Sequence, residues 1–188
     1  MPLTVLDPNT ALILIDLQQG IVNLPLAHPA ASVIANAAQL ARAFRAAEKP
    51  VVLVNVAAGA PGRTETPRRL PDPLPPNWTD LVPDLAPAPT DIRLTKRSWG
   101  AFATTDLGAR LDQLGITQVV IGGISTSIGV ESTARQAYEH GFNVTLALDA
   151  MTDTNKTAHD HAQSYIFPRI GETGTTADIL ALLTAAGN

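Results

Sequence analysis

Two ionisable side chains at the ends of apolar runs are the residues of this sequence best suited to acid–base chemistry. Asp16 follows the run ALILI, and Lys96 closes the segment DIRLTK. Burial would raise the pKa of such a carboxyl group, whereas a nearby ammonium group would lower it. Asp16 and Lys96 are therefore the groups whose pKa a cleft at the strand ends would shift.

The hydrophobic pattern predicts the elements that position these side chains. Apolar runs indicate buried strands, and apolar residues at helical spacing indicate helices. The expected strands cover 11–17, 51–56, 91–96, 118–123 and 143–150, with a short one around 169–172, and the expected helices cover 29–49, 104–115, 126–141, 155–165 and 177–186. Strands that alternate with helices predict a three-layer α/β fold, with a mostly parallel sheet covered by helices on both faces.

Polar residues follow the expected strands at the edge where open α/β sheets bind ligands. They are Asp16, Asn55, Lys96, the turn at 123–127 and Asp149. Asp149 is interpreted as a structural residue that caps the following segment. Of these residues, Asp16 and Lys96 follow apolar runs and are ionisable, which makes them the candidates for chemistry at this edge.

Length, composition and charge narrow the class of protein. The 188 residues, 45% of them hydrophobic, predict a single domain over 1–188. The net charge of −4 argues against a nucleic-acid partner. No apolar stretch reaches the roughly 20 residues of a membrane span, and the N-terminus lacks the features of a signal peptide. We expect a cytoplasmic protein without a membrane partner.

A proline-rich loop interrupts the alternation of strands and helices at about 57–89. Nine of the 15 prolines lie between Pro61 and Pro89, together with Trp78. A loop of this length is interpreted as a lid or an oligomer arm, with a disordered insertion as the alternative. Trp78 favours order because its large apolar surface favours burial. We expect a homodimer or higher homo-oligomer formed through this loop.

Three segments resemble the isochorismatase-like hydrolases, also called the cysteine hydrolase superfamily. They are LILIDLQQGIV, LTKRSWGAFATTDL and VVIGGISTSIGVESTARQAYEHGFNVTLALDAMTD, in the family's order and spacing from about residue 10 to 180. The superfamily includes nicotinamidases, carbamoyl hydrolases and isochorismatases. The resemblance implies an isochorismatase-like, Rossmann-like fold and a hydrolase that acts on a small molecule.

The resemblance assigns the family's catalytic acid to Asp16 and its lysine to Lys96, but the nucleophile is missing. The cysteine of the thiol members would fall at position 129, where this chain has Gly129. Glycine offers no atom for attack. The known isochorismatases of the family also carry glycine there and hydrolyse a vinyl ether through the aspartate. The resemblance thus implies vinyl ether hydrolysis of a small carboxylated or cyclic substrate, without a cofactor and without a thiol intermediate.

Vinyl ether hydrolysis requires a proton delivered to carbon, after which water attacks the oxocarbenium ion. An ordinary aspartate is protonated about one time in a thousand at pH 7, a cost of about 4 kcal/mol. Asp16 acts as an acid if burial raises its pKa and Lys96 is engaged by the substrate. If Lys96 stays paired, Asp16 suits a general base that activates water for ester or amide hydrolysis. A catalytically silent binding protein of the same fold is the third hypothesis.

The resemblance also implies a substrate-facing turn at the start of the helix 126–141. It implies a cis peptide bond between Ile124 and Ser125, with the backbone N–H groups of Ser125 and Gly129 facing the substrate. A helix N-terminus also favours developing negative charge. An ordinary helix cap by Thr126 or Ser127 is the alternative. Ser125 or Ser127 as a replacement nucleophile lacks a histidine base in the motif.

Apolar side chains near the motifs are candidates for substrate contacts. These are Trp78, Trp99, Phe102 and Ile124. Core packing is the alternative for Phe102. The loop arginines Arg63, Arg68 and Arg69 are candidates for binding carboxylates. True isochorismatases carry a glutamine after the second strand, and this chain has Ala57 near that place. The difference argues against isochorismate itself as the substrate.

No metal site is expected. Nicotinamidases carry an aspartate and two histidines after the second strand, and the segment VNVAAGAPGR contains neither residue type. His159 and His161 are two positions apart on an expected helix, so they face different directions. Surface or packing roles are expected for both histidines.

Overall fold

A six-stranded parallel sheet lies at the centre of the molecule. The strands are β1 (Thr10–Ile15), β2 (Val51–Val56), β3 (Ile92–Lys96), β4 (Gln118–Ile124), β5 (Asn143–Thr152) and β6 (Glu172–Gly174). In the computed structural model, which describes residues 2–66 and 71–185, their order across the sheet is β3-β2-β1-β4-β5-β6. Every pairing between neighbours is parallel, which confirms the predicted α/β class.

Helices cover both faces of the sheet because successive residues of a strand point to opposite faces. The helices are α1 (Gln19–Val22), α2 (Ala30–Ala46), α3 (Leu107–Gln113), α4 (Glu131–Glu139), α5 (Lys156–His161), α6 (Phe167–Ile170) and α7 (Thr176–Ala185). Ile13 and Ile15 of β1 pack on the side of α3, α4 and α6. Leu12 and Leu14 pack on the side of α2 and α7. Among the described residues, no helix is long and apolar enough to cross a membrane.

The strand order reverses at β1, and this reversal positions the site. The chain runs outward from β1 through β2 to β3, and then returns to place β4 on the other side of β1. Such a switch point opens a crevice at the carboxyl ends of the two central strands. Ile15 pairs there with Gly123, so the residues following β1 and β4 are neighbours.

The chain between 156 and 170 is helical over more residues than the sequence predicts. α5, a π-helical turn (Ala162–Ile166) and α6 follow one another without a break. The strand predicted around 169–172 is therefore misplaced, and β6 lies at Glu172–Gly174. Pro168 has no N–H group, and the irregular turn directly before it is where the regular hydrogen bonding is interrupted.

The proline-rich loop packs against the segment that follows β1. It contains a short 3-10 helix (Pro83–Leu85), and Leu81 forms an antiparallel bridge with Gln18. The side chain of Gln18 donates to the carbonyl groups of Val56 and Trp78 at 3.1 and 3.0 Å. Trp78 is only 9% exposed, which confirms the burial predicted for it. Arg68 and Arg69 of this loop lie outside the described residues.

Candidate active site

Asp16 directly follows β1 and turns its carboxyl group into the molecule. Its backbone adopts φ of +52°, a left-handed conformation that aspartate tolerates better than most residues. Its N–H still donates to the carbonyl group of Val54 at 2.8 Å. The extended strand stops at Ile15, so Asp16 is fixed by β2 on one side while its side chain remains only 7% exposed.

Asp16 and Lys96 form a buried ion pair. The Nζ atom of Lys96 lies 2.7 Å from Oδ2 of Asp16, and the lysine side chain is 2% exposed. Nζ also donates to the carbonyl group of Ser98 at 3.2 Å. The structure thus brings together the two residues that the sequence singles out, from strands β1 and β3 with β2 between them.

Burial dominates the acidity of Asp16. Loss of solvation raises the pKa of its carboxyl group from 3.8 to about 6, although the charge and the hydrogen bond of Lys96 pull the pKa down. Among the described residues, none hydrogen-bonds to the buried Oδ1 atom. A carboxyl group with this pKa is protonated about one time in ten at pH 7, a cost of about 1.4 kcal/mol. Asp16 is therefore suited to exchange protons near neutral pH.

Gly129 lies directly beside this carboxyl group. A Cβ atom built at position 129 would lie 3.2 Å from Oδ2 of Asp16 and 2.9 Å from Cγ2 of Ile15. Residue 129 thus completes a three-residue site with Asp16 and Lys96. Glycine has no side chain, so position 129 supplies no nucleophile beside the carboxyl group.

The turn that carries Gly129 begins with a cis peptide bond between Ile124 and Ser125, as expected. The carbonyl group of Ser125 accepts the N–H groups of Ile128 and Val130, both at 3.1 Å. The chain therefore enters α4 through a π-helical turn (Thr126–Val130), which the sequence did not predict.

Two buried side chains that the sequence did not single out hold this turn. Oδ2 of Asp153 accepts the N–H and the hydroxyl group of Ser127 at 2.7 and 2.9 Å. The hydroxyl group of Thr133 donates to the carbonyl group of Gly129 at 2.7 Å. Asp153 could have been noticed as an acid following a strand, whereas Thr133 carries no signal in the sequence. Because the hydroxyl group of Ser127 donates to Asp153, we assign this serine a structural role in the turn.

The other candidate substrate contacts do not gather around the pair. Trp99 is 61% exposed. The ring of Phe102 stacks on that of His140 with centroids 5.0 Å apart, in the core beside α4. The side chain of Ile124 is fully buried on the face covered by α2. The contacts of Phe102 correspond to the core-packing alternative, and the burial of Ile124 indicates the same role.

An open groove of about 460 Å³ lies beside the segment that follows β1. Its walls come from the segment after β1 and from the proline-rich loop: Gln19, Gly20, Asn23, Pro75, Pro76, Asn77, Trp78, Asp80, Leu81 and Pro83. Trp78 lies against Gly20, since a Cβ atom on Gly20 would be 2.2 Å from the indole ring. Asp16 and Lys96 do not line this groove, and both residues are almost fully buried.

The remaining polar residues at the strand ends stabilise the frame. Oδ1 of Asp149 accepts the N–H and the hydroxyl group of Thr176 at 2.7 and 2.8 Å. Asp149 therefore has a structural role, but it caps the distant helix α7, whereas the sequence predicted a cap of the following segment. Asn55 donates to the carbonyl group of Thr79 at 2.8 Å and tethers the proline-rich loop.

Within the described ranges, no three His, Cys, Asp or Glu side chains are grouped so that they could hold a metal ion.

Several known proteins match this chain over nearly its full length. The sequence model of the isochorismatase domain matches residues 10–178. The isochorismatase family protein YecD of Escherichia coli O157:H7 is 43% identical over 183 residues, which cover 93% of this chain and 96% of that protein. YwoC of Bacillus subtilis (strain 168), of the same family, is 38% identical over 178 residues, covering 92% and 93%. The structure of an isochorismatase family protein from Burkholderia thailandensis has a TM-score of 0.91 at 42% identity, covering 96% of this chain and 98% of that one.

Proposed function

This chain belongs to the isochorismatase family of hydrolases, and from that premise we propose that it hydrolyses a vinyl ether in a small carboxylated or cyclic molecule through Asp16. One observation supports this chemistry above all others. The buried carboxyl group of Asp16, with a pKa raised to about 6, lies beside Gly129, where no nucleophile is present. Such a site supplies a proton, and glycine at position 129 cannot form a covalent intermediate.

The reaction begins with a proton transfer from Asp16 to the terminal carbon of the vinyl ether. This step leaves a carboxylate on Asp16 and an oxocarbenium ion on the substrate. The Lys96 ammonium, 2.7 Å from Oδ2, stabilises the carboxylate as it forms. Because the charge on Asp16 appears only in this step, the existing ion-pair geometry favours the transition state over the protonated ground state.

Water then completes the hydrolysis. It adds to the cationic carbon and forms a hemiketal while its extra proton returns to Asp16. Collapse of the hemiketal breaks the bond to the ether oxygen and releases an alcohol and a ketone. The carboxyl group of Asp16 ends the cycle protonated, as it began.

A second candidate function follows from the same ion pair. Lys96 is paired with Asp16 in the structure, which favours the carboxylate and hence a general base. In that role Asp16 would activate water for attack on an ester or amide. The two functions differ in their dependence on pH, since an acid must be protonated to act and a base must be ionised.

Turnover assays with matched substrates distinguish the candidates. The protein is incubated with isochorismate, and pyruvate release is followed from pH 5.5 to 8 beside a panel of small esters and amides. We expect pyruvate release that declines as the pH rises above about 6, the pKa of Asp16. Ester or amide turnover that increases with pH, without pyruvate release, would show that Asp16 acts as a general base and not as an acid. Ligand binding without turnover of any panel member would indicate a silent binding protein.

A further inference from the structure

A buried histidine that the proposed reaction does not use contacts the turn bearing Gly129. His159 lies on α5 and is 5% exposed. Its Nδ1 atom is 2.8 Å from the hydroxyl oxygen of Thr126, which is fully buried. Thr126 directly follows Ser125 and opens the π-helical turn, so α5 holds this turn from behind through a single hydrogen bond.

The neighbours of His159 determine which ring nitrogen carries the proton. Nε2 of Gln163 lies 3.0 Å from Nε2 of His159 and 3.3 Å from the carbonyl oxygen of Leu148. The carbonyl oxygen only accepts hydrogen bonds, so Gln163 presents its NH2 group to both neighbours. Nε2 of His159 is then an acceptor, and the ring proton resides on Nδ1, which donates to Thr126.

In this protonation state, Thr126 and His159 differ from a catalytic pair of nucleophile and general base. A catalytic threonine would donate its hydroxyl proton to the histidine, whereas Nδ1 of His159 already carries a proton. Thr126 is also fully buried and accessible to no substrate in this conformation. The hydrogen bond therefore positions the turn rather than activating the hydroxyl group.

The groups that surround His159 keep it largely neutral. Burial lowers its pKa, and so does His28, whose ring centroid is 4.7 Å away. Lys156 acts in the same direction, while Asp160 and Asp153 act in the opposite direction. His28 comes from the segment before α2, Asp153 follows β5, and Lys156 and Asp160 belong to α5.

The segment before α2 is attached to the end of β5 beside His159. The N–H of His28 donates to the hydroxyl oxygen of Thr152 at 3.2 Å, and Nδ1 of His28 lies 3.0 Å from the same oxygen. The N–H of Ala27 donates to the carbonyl group of Asp153 at 2.7 Å. These hydrogen bonds hold the ring of His28 beside that of His159.

We propose that neutral His159 is a positioning residue, which holds the turn from Ser125 to Gly129 in register with Asp16 through its hydrogen bond to Thr126. Protonation would place a second N–H group on Nε2, facing the NH2 group of Gln163, and two donors repel each other. The imidazole would then leave its place and the turn would lose its support. The inference rests on the proposed function, because a misplaced turn reduces turnover.

The pH profile then contains two limbs of different origin. Turnover falls at low pH as His159 takes up a proton, and it falls at high pH as Asp16 loses one. A misplacement of about 1 Å at a reacting centre reduces turnover by about 100-fold. We expect kcat, rather than KM, to carry most of the acidic limb.

Two kinds of substitution separate positioning from simple packing. His159→Leu and Thr126→Val remove the hydrogen bond, and we expect each to lower kcat about 10- to 100-fold, with no further loss in the double variant. His159→Asn keeps an N–H group near the place of Nδ1 and does not titrate. It should retain kcat within about threefold at pH 7 and should lack the acidic limb, while the alkaline limb from Asp16 persists. Additive losses, or an acidic limb unchanged in His159→Asn, would overturn the proposal.

Nuclear magnetic resonance tests the same inference without turnover, so failure of the proposed function would not affect it. We expect the ring of His159 to be the neutral Nδ1–H tautomer at pH 7, and the amide signal of Gly129 to shift with the same midpoint as that ring. The Gly129 signal should move in His159→Leu and remain in place in His159→Asn. A neutral Nε2–H tautomer, or a Gly129 signal unchanged in His159→Leu, would contradict the positioning role.

Discussion

Asp16 and Lys96 balance two opposing effects within one buried pair. Burial raises the pKa of the carboxyl group from 3.8 to about 6, against the pull of the ammonium group. The folded protein therefore binds this proton more tightly than the unfolded chain does. The resulting stabilisation is fully present below about pH 4 and is lost as the pH rises to about 6. Above about pH 6 Asp16 is ionised, and the ammonium group of Lys96 stabilises the buried carboxylate.

The first prediction concerns the removal of that compensation. Lys96→Met leaves an ionised Asp16 buried without a partner, and breaking such a pair costs about 3–5 kcal/mol. We expect a loss of this size in the free energy of unfolding at pH 8, and a much smaller one at pH 5, where Asp16 is protonated. Urea denaturation at the two pH values measures both.

The double variant Asp16→Asn with Lys96→Met is the matched control. It removes both charges, so its stability should equal or exceed that of the wild type at pH 8. A loss in Lys96→Met that is equal at pH 5 and pH 8 would show that the raised pKa of Asp16 does not govern this effect.

At the scale of elements, the close approach of β1 and β4 shapes the site. Gly123 adopts φ of +128°, and a Cβ atom there would lie 2.1 Å from the carbonyl oxygen of Ile15. The backbones of the two strands therefore touch where Asp16 and the cis peptide bond leave the sheet. Only glycine satisfies both the conformation and the contact.

The second prediction compares two glycines that share a positive φ. Gly123→Ala adds a backbone clash to an unfavourable conformation, so we expect it to cost more than about 3 kcal/mol or to prevent folding. Gly141 has φ of +88° with no atom within 4 Å of a built Cβ, so Gly141→Ala should cost only about 1–2 kcal/mol. Thermal unfolding of both variants measures the difference. Equal losses would argue against the close contact.

Sequence periodicity predicted the elements whose conformation is determined by local patterns. It failed for the elements whose conformation is determined by tertiary contacts. The apolar run at 51–56 gives β2 with the predicted bounds because a buried parallel strand needs continuous apolar residues. β6 was displaced because the helix continues through Pro168. The π-helical turn at 126–130 depends on the carbonyl group of Ser125, which no local pattern announces.

The same distinction applies to the site residues. Asp16 and Lys96 follow apolar runs, so the rule for strand ends located them. Asp153 and His159 reach the turn from 26 and 33 residues away, at Ser127 and Thr126. Contacts of this separation exist only after folding, and the sequence therefore assigned His159 a packing or surface role.

At the scale of the whole molecule, apolar surface remains exposed near the site. Trp99 is 61% exposed just after β3, and prolines of the proline-rich loop line an open groove. Large exposed aromatic side chains are typical of protein interfaces. This surface supports the proposed homo-oligomer, in which the proline-rich loop contacts a second copy of the chain.

The third prediction is a mass in solution. Size-exclusion chromatography with multi-angle light scattering should give a multiple of the chain mass of 19.7 kDa. Trp99→Ser serves as a probe of the exposed surface near the site, with Tyr138→Ser, another exposed aromatic residue, as its control. A single species at the mass of one chain would contradict the prediction.

The central claim, that the Asp16 carboxyl group performs the chemistry, is tested most directly by Asp16→Asn. Asparagine keeps the size of the side chain and tolerates a φ of +52°, so the variant should fold and bind substrate. We predict that kcat falls at least about 100-fold while KM stays within about threefold, and that Asp112→Asn, an exposed acid on α3, leaves both unchanged. Retention of kcat within tenfold of the wild type in Asp16→Asn would contradict the mechanism.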